Sequence, residues 1–177
     1  MSQYFDLSIR RIEIKKPKRD LKPVIKLQDE VNKTLLHDEY YYPTDERTIQ
    51  ECLDGDYILL GVYSKDKLIA ASFAFEGGLF FSKPITDWME IPGNKIMCHE
   101  FVVVDMEYRG NGIQKRFMDA TIREARQMGY DTIWCCAHPN STPSVCSIES
   151  TGYKFADQFV VDGWPRNVYY RSTSIQR

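Results

Sequence analysis

A short glycine-containing loop near the middle of the chain has the composition of an anion-binding site. The loop Arg109-Gly110-Asn111-Gly112 joins an apolar run that ends at Asp105 to a stretch with helical periodicity that begins at Ile113. The first turn of a helix has backbone N–H groups without internal partners, and the helix dipole places partial positive charge there. Glycines let the backbone approach a ligand closely, and Arg109 adds a full charge. The loop therefore predicts a phosphate or pyrophosphate site, although a Gly-x-Gly pair also occurs in plain strand-to-helix turns.

The segments on either side of this loop are predicted to be a buried strand and an amphipathic helix. Three consecutive valines at 102–104 suit a buried strand, because β-branched side chains pack well on a pleated surface. Gly129 stands where a helix C-cap belongs. Residues on one face of the intervening helix are Ile113, Phe117, Thr121, Ala125 and Met128.

The loop matches neither of the two best-known nucleotide motifs but resembles a third pattern. It lacks the P-loop pattern, and Lys115 occupies the position of the last glycine in Gly-x-Gly-x-x-Gly. It resembles the pyrophosphate loop of the GNAT superfamily of N-acyltransferases, Gln/Arg-x-x-Gly-x-Gly/Ala, which here reads from Arg109 to Gln114. The preceding residues resemble the family's Val-x-Pro-x-Tyr-Arg-Gly, with Met106 in place of Pro. Gln114 replaces the last Gly or Ala, so we expect its side chain to crowd the pyrophosphate while its backbone N–H can still donate.

A second segment supports this resemblance. A predicted strand over residues 132–137 precedes Asn140, and Gly152-Tyr153 lies further along. The family often has an Asn, a short helix and then Gly-Phe or Gly-Tyr, and the spacing here is one residue longer. Pro143 within this stretch predicts an altered start to the helix. The resemblance implies a single GNAT-like domain over residues 1–177.

Length and composition limit the classes of partner. The 177 residues suit one domain with a sizeable core, and a net charge of −2 leads us to expect no nucleic-acid and no membrane partner. The five cysteines are odd in number and include no metal-type Cys-x-x-Cys pair, so we expect free thiols and no metal site. Without a signal peptide, free thiols indicate a cytoplasmic location.

The rest of the chain supplies the elements that must position the loop. The order of these elements predicts an α/β (α+β) domain with a central mixed sheet. The resemblance implies a GNAT-like, mostly antiparallel sheet flanked by about four helices. Residues 76–97 are irregular, and we interpret them as a lid or acceptor-specificity segment, with a dimer contact as the alternative. The other predicted elements are a strand at 8–14, helices from Pro23 and from an N-cap at Thr44, strands at 57–63 and 68–75, a short helix after Asn140, a strand at 154–156, a turn at 162–165 and a strand at 167–171.

The resemblance implies that acetyl-coenzyme A is the cosubstrate. The pyrophosphate would lie on the glycine loop and the helix start. The valine strand would splay from its neighbour and bind the pantetheine arm through free backbone groups. The cofactor-binding residues implied in this way are Val102, Val103, Val104, Arg109, Gly110, Asn111, Gly112, Ile113, Gln114, Lys115 and Asn140.

Transfer to an amine requires a base. An alkyl amine with a pKa of about 10.4 must lose a proton at a cost of about 4.6 kcal/mol at pH 7. Glu100 is the candidate base, because a regular strand places it on the face of Val102, and apolar neighbours would raise the pKa of its carboxyl. The alternatives are a structural Glu100 and His138 as the base, while His99 would face the other side.

The resemblance also implies a proton donor for the departing thiolate, usually a tyrosine on the helix after Asn140. Counting from Asn140 places Ser147 at that position, so Ser147 is the candidate acid. We expect the neighbouring Cys146 to be a buried thiol rather than a nucleophile. The tyrosines at 40–42 fall where the acceptor would be gripped, or else fold onto the core.

Three functions are consistent with these residues. The first is an acyltransferase that moves an acetyl or other short acyl group from coenzyme A to a primary amine of a small molecule or protein by direct attack. The second is a non-catalytic acyl-CoA-binding module, and the third is an unrelated phosphate-binding domain. A homodimer is left open.

Overall fold

The fold was analysed in a computed structural model that describes residues 9–11, 20–80, 83–84, 87, 89–93 and 95–174. The ends of the predicted first strand, Ser8 and Ile12 to Ile14, lie outside these residues. The helices and strands of the described residues are, in chain order, β1 (Ile9–Arg11), α1 (Lys22–Asn32), α2 (Glu46–Cys52), β2 (Tyr57–Ser64), β3 (Lys67–Glu76), β4 (Leu79–Phe80), β5 (Lys83–Pro84), β6 (Ile96–Val104), α3 (Ile113–Gln127), β7 (Thr132–Ala137), α4 (Thr142–Ser150), β8 (Lys154–Val161) and β9 (Trp164–Ser172).

One large sheet organises the molecule. Its strand order is β1-β2-β3-β6-β7-β9-β8, and all neighbouring strands are antiparallel except β6 and β7. Helices α1 and α2 cover one face, where Leu59, Phe73 and Phe101 join their core cluster. Helices α3 and α4 cover the other face. The predicted mixed, mostly antiparallel sheet flanked by four helices is therefore confirmed.

The central strands could be predicted from the sequence because helices cover both faces of the sheet and bury the side chains on both sides. From Ile58 to Val62 every side chain of β2 is buried, which is typical of a strand covered by helices on both faces. Helix α1 starts with Pro23 in its first turn, as predicted, and buries Val24, Leu27 and Val31 along one stripe.

Two predicted boundaries were wrong for local reasons. The N-cap of α2 is Asp45 rather than Thr44, because the Asp45 carboxylate accepts hydrogen bonds from the Thr48 backbone N–H at 3.0 Å and hydroxyl at 2.8 Å. The predicted turn at 162–165 is only two residues long. Asp162 and Gly163 both have positive φ, at 50° and 83°, which lets β8 run directly into β9.

The described residues Gly77 and Gly78, in the irregular segment before β6, pack against the sheet. Gly78 lies so close to the sheet that a Cβ there would be 2.6 Å from the Trp134 ring and 2.7 Å from the Cys98 Cβ. The indole of Trp134 donates to the Gly77 carbonyl at 2.8 Å. The segment is thus held at this point over β6 and β7. In the described ranges, no helix has the length and apolar character needed to span a membrane.

Candidate active site

The parallel strands β6 and β7 separate at the centre of the sheet. Their ladder covers three pairs, the last of which joins Cys98 to Trp134. Strand β6 then continues to Val104 and β7 to Ala137, with no further pairing between the two in the described part of the chain. Because the strands are parallel, the gap opens toward the carboxyl ends of both. We call this gap the split, and its presence agrees with the predicted splay.

The glycine loop lies at the open end of the split. Gly110 and Gly112 have φ values of 78° and 68°, which favour glycine, and a Cβ at either would meet nothing within 4 Å. Gly112 is the N-cap of α3, no side chain caps this helix start, and its first turn contains no acidic residue. The start of α3 therefore has no side-chain cap, no acidic residue in its first turn and open space beside its N-cap, which suits the predicted anion site.

Side chains of the loop stabilise its shape. The Arg109 guanidinium donates to the Val104 carbonyl at 3.2 Å and to the Thr34 hydroxyl at 3.1 Å, so it ties the loop to β6 and to the end of α1. The Asn111 amide donates to the Tyr108 carbonyl at 3.0 Å. The backbone of the loop, rather than these side chains, is what the geometry leaves open to a ligand.

Three further predicted cofactor residues lie around the split. The amide of Gln114 donates to the Ser144 hydroxyl at 3.1 Å, so this side chain is held against α4. Lys115 is exposed in the first turn of α3, and Asn140 is exposed just before α4. The structure brings both to the carboxyl-end side of the sheet, together with the glycine loop.

The prediction that Glu100 shares a face with Val102 is wrong. Strand β3 pairs Phe73 with Phe101 but the next residue of β3 with His99, so Glu100 is the extra residue of a β-bulge. The extra residue reverses the alternation, and His99 rather than Glu100 lies on the face of Val102. Glu100 faces α1 and α2 instead.

The surroundings of Glu100 adjust its acidity. Its carboxylate accepts hydrogen bonds from the Thr44 hydroxyl at 3.0 Å and from the Cys98 thiol at 3.6 Å. Solvent reaches the side chain, but enough protein surrounds the carboxyl to desolvate it in part. This desolvation raises the pKa of Glu100, and the two hydrogen bonds oppose the shift only in part. The predicted direction of the pKa shift is confirmed.

A buried glutamine that the sequence analysis missed supports Thr44. Gln28 is buried on α1, its amide nitrogen donates to the Thr44 carbonyl at 3.1 Å, and its oxygen accepts from the Thr44 N–H at 3.1 Å. The same oxygen accepts from the Tyr41 hydroxyl. Burial, with Glu100 nearby, raises the pKa of Tyr41, so the phenol stays protonated. A polar residue within the apolar stripe of α1 was the signal available in the sequence.

The three tyrosines at 40–42 have different surroundings, and only Tyr41 packs against the core, which is one of the two predicted outcomes. Tyr41 is half-buried and contacts the core cluster of α1 and α2. Tyr40 stacks near His138, with ring centroids 5.1 Å apart, while Tyr42 is 74% exposed.

Both histidines that were considered are buried. His99 is 4% exposed and its Nε2 lies 2.7 Å from the Ser72 hydroxyl, and burial lowers its pKa to about 4. His99 lies on the face opposite Glu100, as predicted, although the bulge exchanges the two faces relative to Val102. His138 is also 4% exposed, and its Nδ1 accepts from the Asn140 N–H at 3.2 Å. Burial and Arg166 lower the pKa of His138, so the neutral ring carries its proton on Nε2 and lacks a free lone pair for a base.

On α4, Ser147 and Cys146 are weaker candidates for a catalytic role than Glu100. The Ser147 hydroxyl donates to the Pro143 carbonyl of its own helix at 2.8 Å. Cys146 is exposed, so the prediction that it is buried is wrong; α4 buries only Ile148. Among the described residues, no group of three His, Cys, Asp or Glu could hold a metal ion.

Comparisons with known proteins agree with this geometry. The profile of the acetyltransferase (GNAT) family matches residues 25–153. A comparison with curated protein sequences finds no significant match. The fold is similar to that of the ribosomal-protein-S18-alanine N-acetyltransferase from Escherichia coli, with 16% identity over 97% of this chain and 96% of that chain and a TM-score of 0.67.

Two other solved structures are equally similar in fold. An N-acetyltransferase from Staphylococcus aureus Mu50 has 16% identity over 96% of this chain and 100% of that chain, with a TM-score of 0.69. The NatC complex bound to Gag peptide and CoA has 10% identity over 95% of this chain and 99% of that chain, with a TM-score of 0.71. The family profile runs from within α1 to just beyond the end of α4 and includes Glu100 and the glycine loop. The chain therefore belongs to the GNAT family of acetyltransferases.

Proposed function

We propose that this acetyltransferase moves an acetyl or other short acyl group from coenzyme A to a primary amine by direct attack, with Glu100 as the base. The split between β6 and β7 carries the proposal. It opens from the Cys98–Trp134 pair toward the glycine loop, and Glu100 lies on β6 just past that pair, so the split relates an anion site to a carboxylate. A long, thin ligand with an anionic middle and a reactive end would suit such a split.

The residues at the split fit coenzyme A. The N–H groups at the start of α3 and the charge of Lys115 would hold the pyrophosphate. Backbone groups of Val102, Val103 and Val104 lie along the unpaired edge of β6 and would bind the amides of the pantetheine arm. Asn140, after the end of β7, would contact the arm from the other side. When bound, acetyl-coenzyme A supplies a thioester carbonyl that an amine can attack.

Glu100 would take the proton of the acceptor amine. An ammonium group approaching from the side of α1 and α2 meets a carboxylate whose raised pKa brings it closer to a neutral working pH. The Thr44 hydroxyl orients that carboxylate, and Gln28 fixes Thr44. These contacts hold the base in one position before substrate arrives.

Ser147 stays the predicted proton donor for the departing thiolate. Its hydroxyl now donates to Pro143, so it would have to rotate away from that carbonyl to reach a ligand. The acceptor is a small-molecule or protein amine, and a homodimer stays a prediction. The single domain over residues 1–177 and the cytoplasmic location also stay predictions. The five cysteines are free, which supports a reducing compartment.

The test is transfer from acetyl-coenzyme A to a panel of amines. Both products should be measured, the released coenzyme A by chromatography and the acetylated amine by mass spectrometry. A thiol reagent is unsuitable, because Cys136 and Cys146 of the protein are exposed. We expect equal amounts of the two products with at least one amine. Tight binding of acetyl-coenzyme A without transfer to any amine would contradict the enzyme and favour a binding module.

A further inference from the structure

We propose that the acceptor carries a carboxylate as well as the amine, and that Arg166 binds that carboxylate. The acceptor would then be a small zwitterion of the amino-acid type rather than a lysine side chain or a peptide N-terminus. This inference rests on the proposed function and specifies the substrate class of the same site.

The pairing across three strands places Arg166 on the face of Glu100. Strand β6 pairs Cys98 with Trp134 of β7, and β7 pairs Cys136 with Val168 of β9. Paired residues share a face, as do residues two apart in one strand. Glu100 contacts Cys98 directly. The carboxylate of Glu100 and the guanidinium of Arg166 therefore lie on one face of the sheet, on either side of Cys136.

The pKa of the Cys136 thiol responds to the charges of both Glu100 and Arg166. Desolvation by the surrounding protein raises the pKa of Cys136 to about 11, the negative charge of Glu100 adds to the rise, and the positive charge of Arg166 opposes it. Solvent still reaches the Cys136 residue, which is exposed. A zwitterion that lies over Cys136 would place its amine toward Glu100 and its carboxylate toward Arg166.

Arg166 lacks a charged partner within the described ranges. It is 8% exposed, and among the described residues its side chain forms one hydrogen bond, from Nη1 to the adjacent Pro165 carbonyl at 3.1 Å. A buried charge destabilises the fold unless it is paired and hydrogen-bonded. Glu39 raises the pKa of the neighbouring His138, but its carboxylate lies 3.4 Å from His37 Nδ1 rather than against Arg166 in any described contact. A ligand carboxylate would fill this gap, since a guanidinium can bind one through two parallel hydrogen bonds.

Aromatic rings lie close together beside Arg166. The His138 ring is near those of Tyr40 and Trp164, with ring centroids 5.1 Å and 6.5 Å away. These rings connect the segment between α1 and α2 to the β8–β9 hairpin. Because burial and Arg166 lower the pKa of His138, the ring is neutral and Arg166 supplies the positive charge there.

The experiment compares amino acids with their carboxamides. The panel contains α-amino acids with side chains of different size, together with β-alanine and 4-aminobutyrate, each beside the amide that removes its negative charge. The carboxamide also lowers the pKa of the amine, so rates are compared at equal concentrations of unprotonated amine. The full-length wild type is assayed beside Arg166→Met, Arg166→Lys and the control Arg123→Met, which changes an exposed arginine in the middle of α3.

We expect the wild type to prefer at least one acid over its amide by about 10-fold or more in kcat/KM, which corresponds to about 1.4 kcal/mol. Arg166→Met should remove this preference by raising KM for the acid, while kcat/KM for the amide stays within about 3-fold of the wild type. Arg166→Lys should keep part of the preference, and Arg123→Met should keep all of it. The spacing between amine and carboxylate in the best acid identifies the subclass.

Two results would overturn the inference while leaving the acetyltransferase in place. One is equal use of acids and amides by the wild type. The other is an equal loss of activity on both in Arg166→Met, which would indicate a structural arginine. Transfer to no member of this panel, by a protein that acetylates an amine without a carboxylate, would also overturn the inference and leave the acetyltransferase in place; transfer to no amine of any class would contradict the proposed function itself.

Discussion

At the residue scale, the account depends on the carboxylate of Glu100. Replacing it by Gln keeps the shape and the hydrogen bond from Thr44 but removes the base. We expect Glu100→Gln to lower kcat by about 10²- to 10⁴-fold at neutral pH, the usual contribution of a general base. The dissociation constant for acetyl-coenzyme A should not change. Steady-state kinetics beside Glu149→Gln, an exposed glutamate on α4, would check this.

Glu100→Gln is expected to lower activity without lowering the thermal stability of the fold. The folded protein raises the pKa of Glu100, so its favourable contribution is complete below the unfolded pKa and is lost as pH rises through the folded pKa. At neutral pH the ionised carboxylate is therefore unfavourable to folding. We expect Glu100→Gln to unfold thermally at the wild-type temperature or above. A clear fall in that temperature would indicate a structural Glu100.

A second residue-scale prediction concerns Thr44. Its hydroxyl lowers the pKa of Glu100 by donating a hydrogen bond to the charged form. Thr44→Val has nearly the same shape but cannot donate, so the acid limb of the kcat/KM profile should move to higher pH. The double variant with Glu100→Gln should show no such movement. An unchanged acid limb in Thr44→Val would contradict Glu100 as the titrating base.

At the element scale, the contact between Gly78 and the pair of strands below it can be tested. Gly78 has a φ of 111°, and a Cβ there would clash with Trp134 and Cys98. We expect Gly78→Ala to lower the free energy of unfolding by about 3 kcal/mol, from backbone strain and overpacking together. Gly77→Ala is the matched control, because its φ is 74° and its Cβ would meet nothing. It should cost about 1 kcal/mol. Equal losses in denaturant titrations would show that this contact contributes nothing.

The elements were largely predictable from the sequence, but the position of Glu100 was not. Buried runs and helical stripes give a clear period, so the strands and helices of the sheet were recognised. A bulge adds one residue without altering the composition of the strand, and only the pairing with β3 reveals it. Thr44 and Asp45 are both good N-cap residues, so the sequence could not separate the cap of α2 from the residue that binds Glu100.

At the scale of the whole molecule, the site is built from distant segments. The glycine loop was predictable, because the strand, the glycines and the helix are consecutive in the chain. The placement of Glu100 and Arg166 on one face of the sheet was not predictable, because it depends on the registers of β6 with β7 and of β7 with β9. The contacts of Gln28 were also not predictable, because they too depend on the fold. Its partners Tyr41 and Thr44 approach α1 only when the segment after it folds back.

The central claim is that the start of α3 holds the pyrophosphate of coenzyme A at the mouth of the split. Gly112→Glu would place a carboxylate there, whereas Gly129→Glu places the same residue after the other end of α3. The two glycines have φ values of 68° and 81°, and both have open space at the Cβ, so the backbone strain is matched.

The most direct measurement is calorimetric titration of acetyl-coenzyme A into the wild type and these two variants. We predict that the wild type and Gly129→Glu bind, and that Gly112→Glu binds at least about 10-fold more weakly, a loss of about 1.4 kcal/mol or more. Equal affinities of Gly112→Glu and Gly129→Glu, or no binding by the wild type, would contradict the account.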